Sequence, residues 1–181
     1  MELLDLNLDL KKSNKTNLIH LLYGSQTGNA EEISKELYEI LLEKNYKCNY
    51  SSLNKTVQDD TFNFINQNTI IMDEEKENNC DIFLIIICST TGNGDAPHTA
   101  NLFWRKLKNK KLSKNLLNGI KYGVLGLGDT NYDKFCAMGK NLDKRLKELG
   151  AEQIIELHCA DEAIGLEETV EQFKTKLFEL F

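Results

Sequence analysis

The stretch that decides the fold is Leu18-Ile19-His20-Leu21-Leu22-Tyr23-Gly24-Ser25-Gln26-Thr27-Gly28-Asn29-Ala30-Glu31-Glu32. Leu18 to Tyr23 is an apolar run of strand length. Beyond it the period changes, and Ala30, Ile33, Leu37, Ile40 and Leu41 fall on one face of a helix. A strand that enters a helix through a turn of Gly, Ser, Thr and Asn is the repeating unit of a parallel α/β sheet. The turn itself, Ser25, Gln26, Thr27, Gly28, Asn29 and Ala30, gathers hydroxyls, small residues and backbone N–H groups at a helix start, where anions bind. It holds no Lys or Arg, so it is not the triphosphate loop, which needs Gly-Lys-Ser/Thr. A cradle without cations suits a single phosphate, although an ordinary N-capping turn has a similar composition.

The same alternation continues outward. Tyr46–Leu53, Ile82–Cys88, Tyr122–Leu127 and Gln153–His158 read as further strands. Ile82–Cys88 is apolar without a break, the pattern of a strand covered on both faces. Helical stripes lie at Ala100, Phe103, Trp104 and Leu107, at Phe135, Met138, Leu142, Leu146 and Leu149, and at Leu166, Val170, Phe173 and Leu177. Gly150 is placed to end the second of these. The expectation is an α/β doubly wound sheet of five parallel strands with helices on both faces. Asn54–Asn79 is the least regular stretch and contains Asp73-Glu74-Glu75-Lys76-Glu77; it reads as one short helical turn and a solvated loop. Residues 1–17 read as a leader, whose Leu-Asp alternation also suits an edge strand, ahead of one domain over 18–181.

At 181 residues, 41% hydrophobic and 28% charged, the chain is long and apolar enough for one cored domain. Lys and Arg number 22 against 28 Asp and Glu, a net charge of -6, the opposite of a global nucleic-acid footprint. No apolar run approaches the roughly 20 residues that span a bilayer. Glu2, Asp5 and Asp9 occupy the place where a signal peptide is basic. The 5 cysteines, at 48, 80, 88, 136 and 159, form no Cys-x-x-Cys pair, which argues for a reducing cytoplasm and against a zinc site or disulfide framework.

Two more loops follow strands. Ser89-Thr90-Thr91-Gly92-Asn93-Gly94-Asp95-Ala96-Pro97 has two glycines one residue apart, which permit positive φ and close backbone approach to a flat ligand. Gly126-Leu127-Gly128-Asp129-Thr130-Asn131-Tyr132 begins like a dinucleotide fingerprint, but Asn131 stands at its third glycine. Tyr132 is placed either to pack or to stack, and Phe135 opens a helical stripe. In open parallel sheets, ligands bind beyond the carboxyl ends of the strands. A phosphate cradle, a glycine loop and an aromatic at one such edge describe a site for a flat ring bearing one phosphate, and flavin mononucleotide (FMN) fits.

On these residues the chain resembles the flavodoxin-like FMN domain of the diflavin reductases. The matching segments are Tyr23–Glu32, Ser89–Asp95 and Gly123–Asp129, continued by Tyr132, Phe135, Gly139-Lys140, Asp143-Lys144-Arg145-Leu146 and Leu149-Gly150-Ala151. Ser89-Thr90-Thr91-Gly92, Phe135-Cys136, Ala160-Asp161-Glu162 and Gly165-Leu166-Glu167 are most similar to methionine synthase reductases. Cytochrome P450 reductase instead has a Tyr where this chain has Thr91, and an Asn where it has Cys136.

The resemblance implies that Ser25 to Ala30 hold the FMN phosphate. It places Thr90, Thr91, Gly92, Asn93 and Gly94, with Leu127, Gly128 and Asp129, along the flavin ring. It has Tyr132 stack on the outer face, counts Phe135, Cys136 and Asp161 among the cofactor-binding residues, and has Asp161 stand as an acid near the flavin and its electron partner. No metal and no proton-transfer triad are expected, because the cofactor does the redox work. With no cation near the ring, one acid about 10 Å away at an effective dielectric of ~20 contributes roughly 1.7 kcal/mol, on the order of 70 mV for a one-electron couple. The implied partners are a FAD/NADPH reductase domain and an acceptor redox protein, with cobalamin-dependent methionine synthase as one acceptor; neither nucleic acid nor a membrane is expected.

Diflavin reductases continue past such a last helix into an FAD/NADPH half. The residues leave open a domain of a longer reductase, a free-standing carrier, and a flavin-free interaction module of the same fold. No segment here matches an NADPH binder, so the chain alone is not expected to oxidise NADPH. A phospho-acceptor receiver is rejected, because Tyr23 and Cys88-Ser89 stand where its acids belong. A long-chain flavodoxin is also left open, though its extra segment usually interrupts the last strand and the run from Gln153 to His158 is expected to be unbroken.

Overall fold

The computed structural model describes residues 16–58 and 80–181. The leader expected over 1–17, apart from its last two residues, lies outside them. So does 59–79, with the charge run expected to be a solvated loop.

Among the described residues the chain runs β1 (Thr16–Gly24), α1 (Asn29–Glu43), β2 (Lys47–Ser52), α2 (Lys55–Gln58) and β3 (Cys80–Ser89). It continues as α3 (Asn101–Leu107), β4 (Ile120–Gly128), α4 (Ala137–Glu148), β5 (Glu152–Gln153), β6 (His158–Asp161) and α5 (Glu167–Phe178). The strands lie in the order β2-β1-β3-β4-β5, with β6 also paired to β4, and every pairing is parallel. The short helical turn expected after Asn54 is α2.

Every residue from Ile82 to Cys88 is buried, which the unbroken apolar run requires of a central strand. Burying each Ile or Leu here contributes about 1.5–3 kcal/mol relative to exposure, so β3 anchors the sheet. Side chains alternate between two cores. Leu22, Leu84, Ile86 and Val124 meet Phe103 and Leu107 of α3 and Met138, Leu142 and Leu146 of α4. Ile19, Leu21, Ile85, Ile87 and Leu125 meet Leu37 and Leu41 of α1 and Phe173 and Leu177 of α5.

Two devices seat α4. Buried Asp143 accepts hydrogen bonds from Tyr122 Oη (3.0 Å), Gln153 Nε2 (2.6 Å) and Lys147 Nζ (3.0 Å), tying the helix to β4 and β5. Gly139 lies directly on Gly126, so that a Cβ at 139 would stand 2.7 Å from the Gly126 Cα.

The fifth strand position departs from expectation. Instead of one run from Gln153 to His158, β5 pairs Gln153 with Tyr122, and β6 resumes with His158 opposite Leu125. Five steps of chain oppose three of β4, an excess of two residues. The excess bulges out at 154–157, where Ile155 packs onto side-chain-free Gly123, its Cβ 3.1 Å from where a Gly123 Cβ would stand. Ile154, Ile155 and Leu157 are all apolar, so their composition gives no sign of the interruption.

Candidate functional site

Because the sheet is parallel, the carboxyl ends of β1, β3, β4 and β6 emerge at one edge. Gly24 pairs with Cys88, Ser89 with Leu127 and Gly128 with Asp161. The loops that follow are stitched together by hydrogen bonds. Ser89 Oγ donates to the Gly24 carbonyl (3.2 Å), the Thr90 N–H to the Leu127 carbonyl (3.1 Å), and the Glu162 N–H to the Gly128 carbonyl (2.8 Å).

The first loop is held from beneath. Thr99 Oγ1 accepts from the Ser25 N–H (2.7 Å) and lies 3.0 Å from the Ser25 carbonyl. Gln26 Oε1 accepts from the His98 N–H at 2.9 Å. Ser25 Oγ accepts from the Gly28 N–H at 3.0 Å, closing a turn that delivers the chain into α1. Gly28 has φ 110 and no atom within 4 Å of where its Cβ would be, so the loop is open over the helix start. The α1 N-cap makes no side-chain hydrogen bond. Its first-turn N–H groups are those a helix cannot pair itself, and they point out of the sheet edge with the positive end of the dipole behind them. Tyr23 Oη donates to Glu31 at 2.9 Å, and burial, reinforced by that acid, raises the phenol well above its usual range.

The second loop is a tight hairpin. Thr91 and Asp95 exchange backbone hydrogen bonds of 3.0 and 2.8 Å, with Gly92 and Gly94 at positive φ between them. Gly94 faces Lys134 and Ala137, so its missing Cβ lets this hairpin lie against the third loop. Thr90 Oγ1 accepts from the Met138 N–H at 3.1 Å, which caps α4 from a distant part of the chain.

Between the second and third loops is a cavity of about 360 Å³ lined by Ser89, Thr90, Thr91, Gly92, Leu127, Gly128, Asp129, Tyr132, Lys134 and Glu162. Of the residues expected along a flat ligand, Thr90, Thr91, Gly92, Leu127, Gly128, Asp129 and Tyr132 are brought together here. Tyr132 is 67% exposed, leaving its ring available to stack.

The residues from Ser25 to Ala30 do not line this cavity but adjoin it: Asn29 Nδ2 donates to Glu162 Oε1 at 3.2 Å. Asn93 and Gly94 lie outside the wall, Gly94 packing instead against the Lys134 and Ala137 side chains. Phe135 is half-buried under Lys140, whose Nζ is 5.2 Å from the ring centroid. Cys136 is buried beneath Gly128 with φ 52.

Asp161 is also outside the lining. It is 8% exposed and accepts from Thr130 N–H (3.0 Å), Thr130 Oγ1 (2.7 Å) and Ala163 N–H (3.0 Å). The Thr130 bonds hold its carboxyl below the usual carboxylate range. It organises two loops, while its neighbour Glu162 presents a carboxylate to the cavity.

Ser89 and Lys134 are lining residues missing from the expected set, while Glu162 stands at the ring edge where an acid was expected. Lys134 corrects the expectation of a cation-free ring site: its side chain forms part of the cavity wall, together with Asp129 and Glu162. Its signal was its place between Tyr132 and Phe135, two residues already in the pattern. Among the described residues no group of three or more His, Cys, Asp or Glu could hold a metal ion, and no helix is long and apolar enough to cross a membrane.

A doubly wound parallel sheet with a cavity at its carboxyl edge, beside an open helix start, defines the class of flavodoxin-like α/β proteins. The flavodoxin family model matches residues 21–175, and the chain belongs to that family. It is 35% identical over 151 residues to methionine synthase reductase of Bos taurus, covering 83% of this chain and 19% of that protein. It is 33% identical over 163 residues to NADPH-dependent diflavin oxidoreductase 1 of Gibberella zeae, covering 89% and 24%. The chain thus spans about a fifth to a quarter of the length of these curated relatives. Among solved structures, a Streptococcus pneumoniae flavodoxin superposes with TM-score 0.65 at 27% identity, covering 90% of this chain and 97% of that one.

Proposed function

We propose that the chain binds FMN at this sheet edge and works as an electron-transfer module between a FAD- and NADPH-binding reductase partner and an acceptor protein. One observation carries the reading: the cavity between the β3 and β4 loops adjoins an open, cation-free helix start. The donors there are N–H groups and hydroxyls, the set that suits a phosphate monoester. The walls at 90–92 and 127–128 are backbone and small or apolar side chains, which lets a flat ring lie close. The residues present therefore fit FMN.

Ser25 to Ala30 would hold the phosphate, Thr90 to Gly92 and Leu127 to Asp129 would border the ring, and Tyr132 would cover its outer face. Bound FMN supplies the one-electron carrier chemistry. The chain's own residues orient the ring, keep water from its inner edge and set the field around it. Exposed Asp95, Asp133, Glu31, Glu32 and Glu162, with half-buried Asp129, give the rim a negative charge suited to a basic acceptor. Asp161 is not part of that rim, since its carboxyl is buried. The names of the relatives support a reductase partner, and the mammalian relative's name points to methionine synthase as the acceptor. Solvation of a compact acidic domain and the cysteine pattern support a cytoplasmic setting.

Titration of the apo-chain with FMN, riboflavin and FAD tests the site. FMN should bind at one per chain and at least tenfold more tightly than riboflavin, which shares the ring and lacks the phosphate. Equal affinities would remove the phosphate assignment from Ser25–Ala30.

A further inference from the structure

Two cysteines meet under the cavity floor. Cys159 of β6 is registered with Gly126 of β4, and registered neighbours project to the same face of a sheet. On that face a Gly126 Cβ would stand 3.5 Å from the Cys136 Cβ and 3.6 Å from its Sγ. Cys136 therefore covers Gly126, and Cys159 projects beside it. Cys136 Sγ itself lies 3.7 Å from the Ala160 carbonyl, the residue after Cys159. Cys88 is registered with Gly126 on the other side, but its Sγ points at Gly24, 2.6 Å from where a Cβ there would be. Cys136 is locked in place: it is fully buried, its backbone is left-handed, and its thiol is wedged against Gly128. Cys159 is only half-buried, so a small oxidant can reach it.

We propose that Cys136 and Cys159 are a peroxide-oxidisable dithiol that closes to a reversible disulfide, pinning the start of α4 to β6. The proposal does not depend on what fills the cavity. In the first step the Cys159 thiolate attacks one oxygen of hydrogen peroxide. An S–O bond forms, the O–O bond breaks, and hydroxide leaves to take up a proton as water. In the second step the Cys136 sulfur attacks the Cys159 sulfenic acid. The S–S bond forms, the S–O bond breaks, and the departing hydroxide leaves as water with the Cys136 proton. Two thiols lose two electrons and one peroxide becomes two waters. The neighbouring Cys136 thiol, helped by Lys140, holds the Cys159 thiol below its usual range, which favours the attacking thiolate. Both side chains stand on the face of the sheet that Gly126 leaves bare, with no Cβ there to keep them apart, and closing the bond brings the sulfurs to about 2.05 Å.

The test uses the full chain, reduced, desalted and treated with a small excess of hydrogen peroxide. Free thiols are then blocked with N-ethylmaleimide and the chain is mapped by mass spectrometry without reductant. The expected product is lighter by two hydrogen atoms, carries one link between the Cys136 and Cys159 peptides, and reverts with dithiothreitol. Cys159→Ser should abolish the link, and Cys136→Ser should leave a sulfenic acid at Cys159 that dimedone traps. If Cys136→Ser does not fold, the wild-type map and Cys159→Ser still decide. A link through Cys88, Cys48 or Cys80, or oxidation of Cys159 without a link to Cys136, overturns the proposal, as does an unmodified pair under excess peroxide.

Discussion

Helices α1 and α4 start in the same way and end up with different uses. Each follows a parallel strand, each is entered through a left-handed residue, and neither has a local side-chain cap. At α1 the left-handed residue is Gly28, with open space above it. At α4 it is Cys136, fully buried, and the Met138 N–H is already taken by Thr90. The positive end of the dipole exists at both helices. Only α1 leaves it accessible to an anion, while α4 spends the same feature on joining two loops. A strand-end helix start is therefore a potential phosphate site only if the preceding residue lacks a side chain and no distant hydroxyl has claimed the first turn.

Three substitutions probe that contrast. Gly128→Ala should have the largest effect, because its Cβ would stand 2.6 Å from the Cys136 backbone nitrogen. The start of α4 would have to lift away, at a cost of about 3 kcal/mol. Urea unfolding should show this as a lower midpoint with the slope unchanged, and a wild-type midpoint would mean that α4 is not tightly seated. Gly28→Ala meets no atom and should cost only the left-handed strain, about 1–2 kcal/mol; it should also weaken FMN relative to riboflavin. If FMN affinity survives that change intact, the open turn is not where the phosphate sits. Thr90→Val removes the hydroxyl from the α4 first turn and keeps the shape. It should cost about 1 kcal/mol and increase amide hydrogen exchange at Met138, without altering the selectivity for FMN over riboflavin.

The sequence shows the α1 side of this contrast more clearly than the α4 side. Glycine, hydroxyls and the absence of cations mark the first loop, and the run from Ile82 to Cys88 marks the central strand by composition alone. At α4 the signals are tertiary. Phe135 opens the periodic stripe of a helix that starts only at Ala137, because the left-handed Cys136 between them carries no compositional flag. Asp161 and Glu162 are both acidic, and only the register of β6 against Gly128 decides that the first is buried and the second faces the cavity. Lys134 reaches the wall because the hairpin around Gly94 packs against its side chain, a contact across 40 residues of chain. Nor does composition reveal the interruption after Gln153, since the room for Ile155 comes from Gly123 on another strand.

That interruption also bears on how the molecule behaves in a crowded solution. A sheet border offers its unpaired backbone groups to any passing extended chain, and a long flat border invites stacking into aggregates. Among the described residues, the border on the β4 side is two residues of β5 and four of β6, set apart by a bulge. A foreign strand laid along it would find its partners out of phase after two residues. The local irregularity that breaks the ladder thus keeps that side of the protein from templating its own precipitation.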